Sequence, residues 1–212
     1  RSPEFHTQVA RTNSSGPSMQ NVAHDPKCSV VIVNYFTSTM IQNCIDSLDP
    51  KAVSRVVIVD NSQDANELQR LKDISRYEVD ILIQDSGGNI GFGAAVNIGV
   101  NVALGKSEDP VWVLNPDMIV YEGCIRNLLT VIHSGAADIV SPVILQGTDA
   151  PTVWYAGGSI DQTNGRAEHF MHGQRWIEKP EASLLEVTFM CGAAPLFSPN
   201  AWRSLGGFRE DL

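Results

Sequence analysis

The sequence predicts an α/β layer fold with a mostly parallel central sheet and helices on both faces. Two observations carry the prediction. Continuous β-branched runs at Cys28–Asn34 (CSVVIVN) and Arg55–Asp60 (RVVIVD) have the pattern of strands buried on both faces, and Val79–Gln84 (VDILIQ) and Val111–Leu114 (VWVL) read as further strands. A segment with helical spacing follows each run, and the order β-α-β-α-β-α-β-α implies parallel strands joined by right-handed crossovers.

The elements follow in order. Thr39–Leu48 (TMIQNCIDSL) carries apolar residues at helical spacing, with Ser38 or Thr39 as the expected N-cap and Pro50 just past the end. A polar helix is expected over Ala65–Ser75. Gly91–Leu104 is rich in small residues, so it reads as a helix packed close to the sheet and closed by Gly105. Glu122–Ser134 is amphipathic and ends at Gly135. After Ala137 the rhythm changes. Ile139–Leu145, Thr152–Ala156 and Glu186–Met190 read as shorter strands, and Gly157–Gly173 holds Asn164-Gly165, a strong hairpin signal.

The chain of 212 residues is long enough for one domain with a full core. Its net charge is −9, from 15 Lys+Arg against 24 Asp+Glu, which excludes a general nucleic-acid binder. A single anionic ligand is still compatible, since helix N-termini and a metal supply local positive charge. Cys28, Cys44, Cys124 and Cys191 form no C-x-x-C pair and read as reduced structural thiols, implying a reducing compartment. No apolar run approaches the ~20 residues of a membrane span. Residues 1–24 read as an expression-vector scar and flexible leader outside the fold, leaving 25–212 as the domain. The sequence stops in mid-motif at SLGGFREDL, so the domain is expected to be incomplete at its carboxyl end.

Ligands of open α/β sheets bind beyond the carboxyl ends of the strands. The polar residues there are Asn34-Tyr35, Asp60-Asn61-Ser62, Gln84-Asp85 and Asn115-Pro116-Asp117. Each alone would be an ordinary turn; on one rim they outline a site. Gly87-Gly88-Asn89-Ile90-Gly91-Phe92-Gly93 follows a strand and opens a helix, an arrangement that offers backbone N–H groups to a phosphate. The first βα turn (Asn34–Ser38) has no glycine, and no Gly-Lys-Ser/Thr motif is present, which excludes a dinucleotide-binding dehydrogenase and a P-loop NTPase. A divalent cation could bridge Asp117 and a diphosphate.

The blocks SVVIVNYFTSTMIQNCIDSL, VVIVDNS, GGNIGFGAAVNIGV, VWVLNPDMIV and CGAAPLFSPNAWRSLGGFRED resemble, in that order, the signature blocks of glycosyltransferase family 2. The resemblance covers about Pro26 to Leu212. It implies a GT-A fold, a nucleotide-diphosphate-sugar donor, a divalent metal (Mn2+ or Mg2+) and inversion at the anomeric carbon. Carried over, Asn34 and Tyr35 would flank the nucleoside. Asp60, followed by Asn61, would accept a hydrogen bond from a uracil or thymine N–H. Asn89, Gly91 and Asn97 would lie beside the ribose, diphosphate and sugar. Asn115-Pro116-Asp117 stands in the place of the D-x-D motif, with Asp117 as the metal ligand; Asn115, a weaker ligand, replaces the first acid. Cys191–Leu196 and Gly206-Gly207-Phe208 match the acceptor-side wall, and Gly206-Gly207 also reads as a helix C-cap.

The base of the inverting family usually lies beyond the G-G-F block; within this sequence Asp211 is the fallback. His133, His169 and His172 read as surface residues. The pattern is most like bacterial rhamnosyltransferases of cell-wall, O-antigen or capsule assembly. That implies a dTDP- or UDP-sugar donor, a saccharide or polyprenyl-diphosphate-linked acceptor, and a cytoplasmic location with peripheral association at the inner face of the plasma membrane. Two alternatives are a non-catalytic nucleotide-sugar-binding fragment and a nucleotidyltransferase. The latter usually carries a glycine-rich basic loop after the first strand, and Asn34–Ser38 has no such loop.

Overall fold

The computed structural model describes residues 4–9, 25–76, 78–177 and 184–210. The elements are β1 (Glu4–Val9), β2 (Cys28–Asn34), α1 (Ser38–Asp46), β3 (Val53–Asp60), α2 (Ala65–Asp73), β4 (Asp80–Asp85), α3 (Phe92–Leu104) and β5 (Val111–Val113). They continue with α4 (Cys124–His133), β6 (Ile139–Gln146), β7 (Thr152–Tyr155), β8 (Gly158–Ile160), β9 (Ala167–His169), β10 (Leu196–Phe197) and α5 (Pro199–Leu205).

Among the described residues, eight strands form one sheet ordered β1-β6-β10-β5-β2-β3-β4, with β7 also paired to β6. The half that runs β5-β2-β3-β4 is parallel, while β10, β6, β1 and β7 extend it antiparallel. All seven residues of β2 are buried, because helices cover both faces. Val30 and Ile32 pack with Ile41, Cys44, Leu71 and Leu128 on the face covered by α1, α2 and α4. Val31, Val57 and Val59 pack with Ala95, Val96 and Val100 of α3 on the other. The alternation along β2 and β3 divides the β-branched side chains between two cores.

The expected close approach of α3 is present. A Cβ built on Gly99 would lie 2.4 Å from Val31 Cγ1 and 3.0 Å from Val59 Cγ2. That contact sets how deeply α3 sits, and so where its amino end meets the sheet rim.

Four details depart from the sequence reading. Glu4–Val9, assigned there to the leader, forms edge strand β1 in a six-residue antiparallel register with β6. Phe5, Thr7 and Val9 alternate with Glu4, His6 and Gln8, a period of two that suits an edge strand. The residue preceding α1 is Thr37, not Ser38 or Thr39, and no side chain caps the helix. The Thr37 hydroxyl is engaged instead with Asn34 Oδ1 at 3.0 Å. Glu186–Met190 is not a strand. It makes one isolated bridge between Phe189 and Gly158, where Thr188 N and Phe189 N both donate to Gly158 O at 3.2 Å instead of forming a ladder. Leu196–Phe197, inside the CGAAPLF block, is the strand that joins β5 to β6. The hairpin expected at Asn164-Gly165 is β8–β9.

Replacing Gly99 by Ala should lower stability by about 1–3 kcal/mol, because the facing β-branched side chains have no free rotamer to move into. Thermal unfolding followed by circular dichroism measures this, and an unchanged melting temperature would mean that α3 does not rest on β2 and β3 as described.

Candidate functional site

The parallel strands deliver their carboxyl ends to one rim. Asn34 of β2 is register partner to Asp60 of β3, and Asp60 to Asp85 of β4. Asn34 is fully buried, and each of its hydrogen-bonding positions is used. Oδ1 accepts from Thr37 N and Thr37 Oγ1, both at 3.0 Å. Nδ2 donates to Asp60 Oδ1 at 2.9 Å and to Glu67 Oε2 at 3.4 Å. The side chain of Asn34, expected to flank the nucleoside, is thus committed to the protein and supports the rim. Tyr35 is the exposed member of the pair, at 51%, and meets Phe36 edge to face at 5.0 Å. Phe36 has φ +56°, a left-handed conformation that is strained for an aromatic residue.

Asp60 is 2% exposed. Its Oδ1 accepts from Asn34, from Ser62 N at 3.1 Å and from Ser62 Oγ at 2.7 Å. Its Oδ2 has no partner among the described residues. One carboxylate oxygen is thus committed to the protein and the other is open to a donor.

Asn61 staples the glycine loop to this rim. Its Nδ2 donates to Asn89 Oδ1 at 3.1 Å, and its Oδ1 accepts from Ile90 N and Ser86 Oγ, each at 3.0 Å. Asn89 Oδ1 also accepts from Gly91 N at 3.1 Å. Gly91, at φ +86° with no side chain to cap α3, turns the loop into the helix. The first turn of α3 contains no acidic residue, so its N–H groups suit an anion. Asn97, expected beside the donor, is bound to the segment that follows α5. Its Nδ2 donates to Phe208 O at 2.9 Å and to Glu210 Oε1 at 2.8 Å, while its Oδ1 accepts from Phe208 N at 2.8 Å. It ties the Gly207–Glu210 segment to α3, and Gly207 permits it: a Cβ there would meet Asn97 Oδ1 at 2.6 Å.

Because β5 neighbours β2 in parallel, Asn115-Pro116-Asp117 leaves the sheet on the same edge. Asn115 N donates to Ala193 O at 2.9 Å, and Val113 N to Pro195 O at 3.0 Å, so the CGAAPL segment flanks the motif. Asp117 is half-buried and takes no hydrogen bond from a described residue. No group of three or more His, Cys, Asp or Glu that could cage a metal exists among the described residues.

The acceptor-side expectations divide. Gly206 caps α5 in the left-handed conformation. Asp211 lies outside the described residues. His169 and His172 share one acceptor, Trp154 O, at 3.3 and 2.9 Å through Nδ1. The four cysteines are free thiols. Burial, with Asp117 adding its charge, pushes Cys44 up to about 12, and burial pushes Cys124 up to about 12, so neither supplies a nucleophile.

The site includes one carboxylate that the sequence reading missed. Glu67 of α2 is 4% exposed and pairs with Arg70 at 2.6 Å. Burial opposes its ionisation, but hydrogen bonds from Arg70, Ser38 and Asn34 outweigh it and hold the carboxyl below the usual 4.5. A pKa lowered by folding stabilises the fold above the unfolded value, and that stabilisation is lost as pH falls through the folded one. The stability difference between the wild type and Glu67→Gln should therefore shrink as pH drops from about 6 to about 3, measured by urea unfolding. A constant difference would contradict the ionised pair.

Residues 29–197 match the family described as "Glycosyl transferase family 2". The chain is also 34% identical over 124 residues to the "Low-salt glycan biosynthesis hexosyltransferase Agl10" of Haloferax volcanii. That alignment covers 58% of this chain and 38% of the relative, so the chain spans well under half the length of that protein. The family match takes in β2 through β10, including the Asn34–Asp60 row, the glycine loop and Asn115–Asp117. This chain belongs to glycosyl transferase family 2.

Proposed function

We propose that the chain forms the donor-binding part of an inverting glycosyltransferase that takes its sugar from a uridine or thymidine diphosphate. The observation that carries the reading is the open Oδ2 of buried Asp60, on the rim that also presents the uncapped amino end of α3 and Asp117. The three provide an acceptor for an imide N–H, donors for a diphosphate, and a carboxylate for a shared cation. Tyr35 offers an exposed aromatic face at the same mouth.

In this reading Asp60 Oδ2 orients the base and the first turn of α3 faces the diphosphate. Asp117 would hold Mn2+ or Mg2+, which when bound neutralises charge on the leaving diphosphate. The acceptor hydroxyl attacks the anomeric carbon from the opposite face; its proton passes to a general base as the bond from carbon to diphosphate oxygen breaks. Inversion follows from that single displacement.

The finer assignment is rhamnose from dTDP-rhamnose. The Val113-Leu114-Asn115-Pro116-Asp117 and Gly206-Gly207-Phe208-Arg209-Glu210-Asp211 patterns support it, and the hexosyltransferase name of the relative supports transfer of a hexose. A saccharide or polyprenyl-diphosphate-linked acceptor would bring the protein to a membrane surface peripherally. Among the described residues no helix is long and apolar enough to cross a membrane.

Titration calorimetry with UDP- and dTDP-sugars, with and without Mn2+ or Mg2+, tests this. Asp117→Ala should weaken donor binding about tenfold or more and remove its dependence on the metal. Asp60→Ala should weaken it about tenfold whether or not metal is present. Failure of both nucleotides to bind, or binding indifferent to metal and to Asp117, would overturn the reading.

A further inference from the structure

Glu67 stands directly behind the wall formed by Asn34 and Asp60, and its two oxygens have separate duties. Oε1 meets Arg70 Nη2 at 2.6 Å. Oε2 accepts from Ser38 N at 3.3 Å and from Asn34 Nδ2 at 3.4 Å. Arg70 in turn donates through Nε to Ser38 Oγ at 3.1 Å, so the ion pair also ties α2 to α1.

The orientation of the Asn34 amide decides what Asp60 can do. Thr37 N–H is a donor, and it lies 3.0 Å from the amide oxygen. The amide NH2 must therefore face the carboxylates. One hydrogen goes to Asp60 Oδ1 and the other to Glu67 Oε2. Without an acceptor at Glu67 one N–H would be buried and unpaired. Turning the amide over gives no relief, because its NH2 would meet Thr37 N–H and its oxygen would face Asp60 Oδ1, so the amide swings toward a new acceptor and carries Asp60 Oδ1 with it.

We propose that Glu67 is a positioning residue for base recognition. It locks the Asn34 amide so that Asp60 commits Oδ1 to the protein and aims Oδ2 at the imide N–H of uracil or thymine. The inference rests on the nucleotide assignment of the previous section. It adds a specificity determinant that never touches the ligand. Cytosine carries an acceptor where uracil carries the imide N–H, so the positioned Oδ2 selects uridine over cytidine nucleotides.

The test is the ratio of affinities for UDP and CDP, measured by calorimetry on the folded chain. Glu67→Gln cannot accept at both oxygens, and it should reduce the preference for UDP about tenfold, chiefly by weakening UDP. Arg70→Gln removes the ion pair but leaves the Asn34 contact. It should lower the melting temperature while keeping the ratio within about twofold. Loss of stability alone does not move a base ratio, so the ratio separates positioning from bracing. If Glu67→Gln fails to fold, Glu67→Asp carries the same test, since it keeps the charge near Arg70 but cannot reach Asn34.

An unchanged ratio in the folded Glu67 variant overturns the inference alone. Equal shifts in the Glu67 and Arg70 variants also overturn it, in favour of a bracing role. A wild type that binds neither UDP nor dTDP overturns the nucleotide assignment and the inference with it.

Discussion

The hydrogen bond from Asn34 Nδ2 to Asp60 Oδ1, 2.9 Å long and fully buried, is the interaction on which the rest of the rim depends. It joins the last residues of two adjacent parallel strands, and it does so where the sheet ladder ends and the chains diverge. A buried carboxylate and a buried amide each lose solvation on folding, and here the Asn34 amide and Asp60 Oδ1 are matched by hydrogen bonds that offset that loss. The match fixes the β2–α1 turn through Thr37 and draws α2 inward through Glu67. It also holds Asp60 in one rotamer. The strain at Phe36 follows from the same network: with Asn34 and Thr37 pinned, the residue between Tyr35 and Thr37 must turn left-handed, and the surrounding bonds hold it there.

The same device recurs at two other amides. Asn61 fastens the glycine loop, and Asn97 fastens the Gly207–Glu210 segment to α3. Asparagine suits this work because it donates and accepts at fixed geometry without adding charge. In a chain of net charge −9, charge economy at the rim has a consequence. The proposed function requires the rim to admit a diphosphate, and Arg70, which reaches the Asn34–Asp60 row through Glu67, is already paired there. Under that proposal, backbone N–H groups at the start of α3 and a shared cation carry the electrostatic attraction.

Much of this was legible in the sequence, and the reasons differ by element. The β-branched runs of β2, β3 and β5 announce themselves because burial on both faces leaves no polar alternation. The rim acids stand out because each interrupts such a run. Glu67 was invisible because α2 reads as a polar surface helix, and the partner that gives the residue meaning lies 33 positions away across the sheet. The saturation of Asn34, expected to flank the nucleoside, was hidden for the same reason: a buried, saturated amide and an open one look alike in one dimension. Strand β1 was missed through its composition, since its short alternation lies in a stretch otherwise poor in apolar residues.

The two halves of the rim are held by different kinds of contact, and this bears on how the fold can change its substrates. The Asn34–Asp60 half is a linked set of hydrogen bonds with Asp60 Oδ2 left open, so one change propagates through Asn34, Asp60 and Glu67. The opposite wall is packed rather than bonded. Phe189, Met190, Pro195, Phe197 and Phe208 line a groove of about 300 Å3, and Phe208 meets Phe92 and Trp202 ring to ring. Apolar packing tolerates exchanges of similar volume at modest cost, whereas a saturated polar network does not. Substitutions can therefore reshape the groove while the Asp60 wall stays as it is. Under the proposed assignment, a sheet built this way can keep one class of nucleotide while the wall beside Asn115–Asp117 varies with the acceptor.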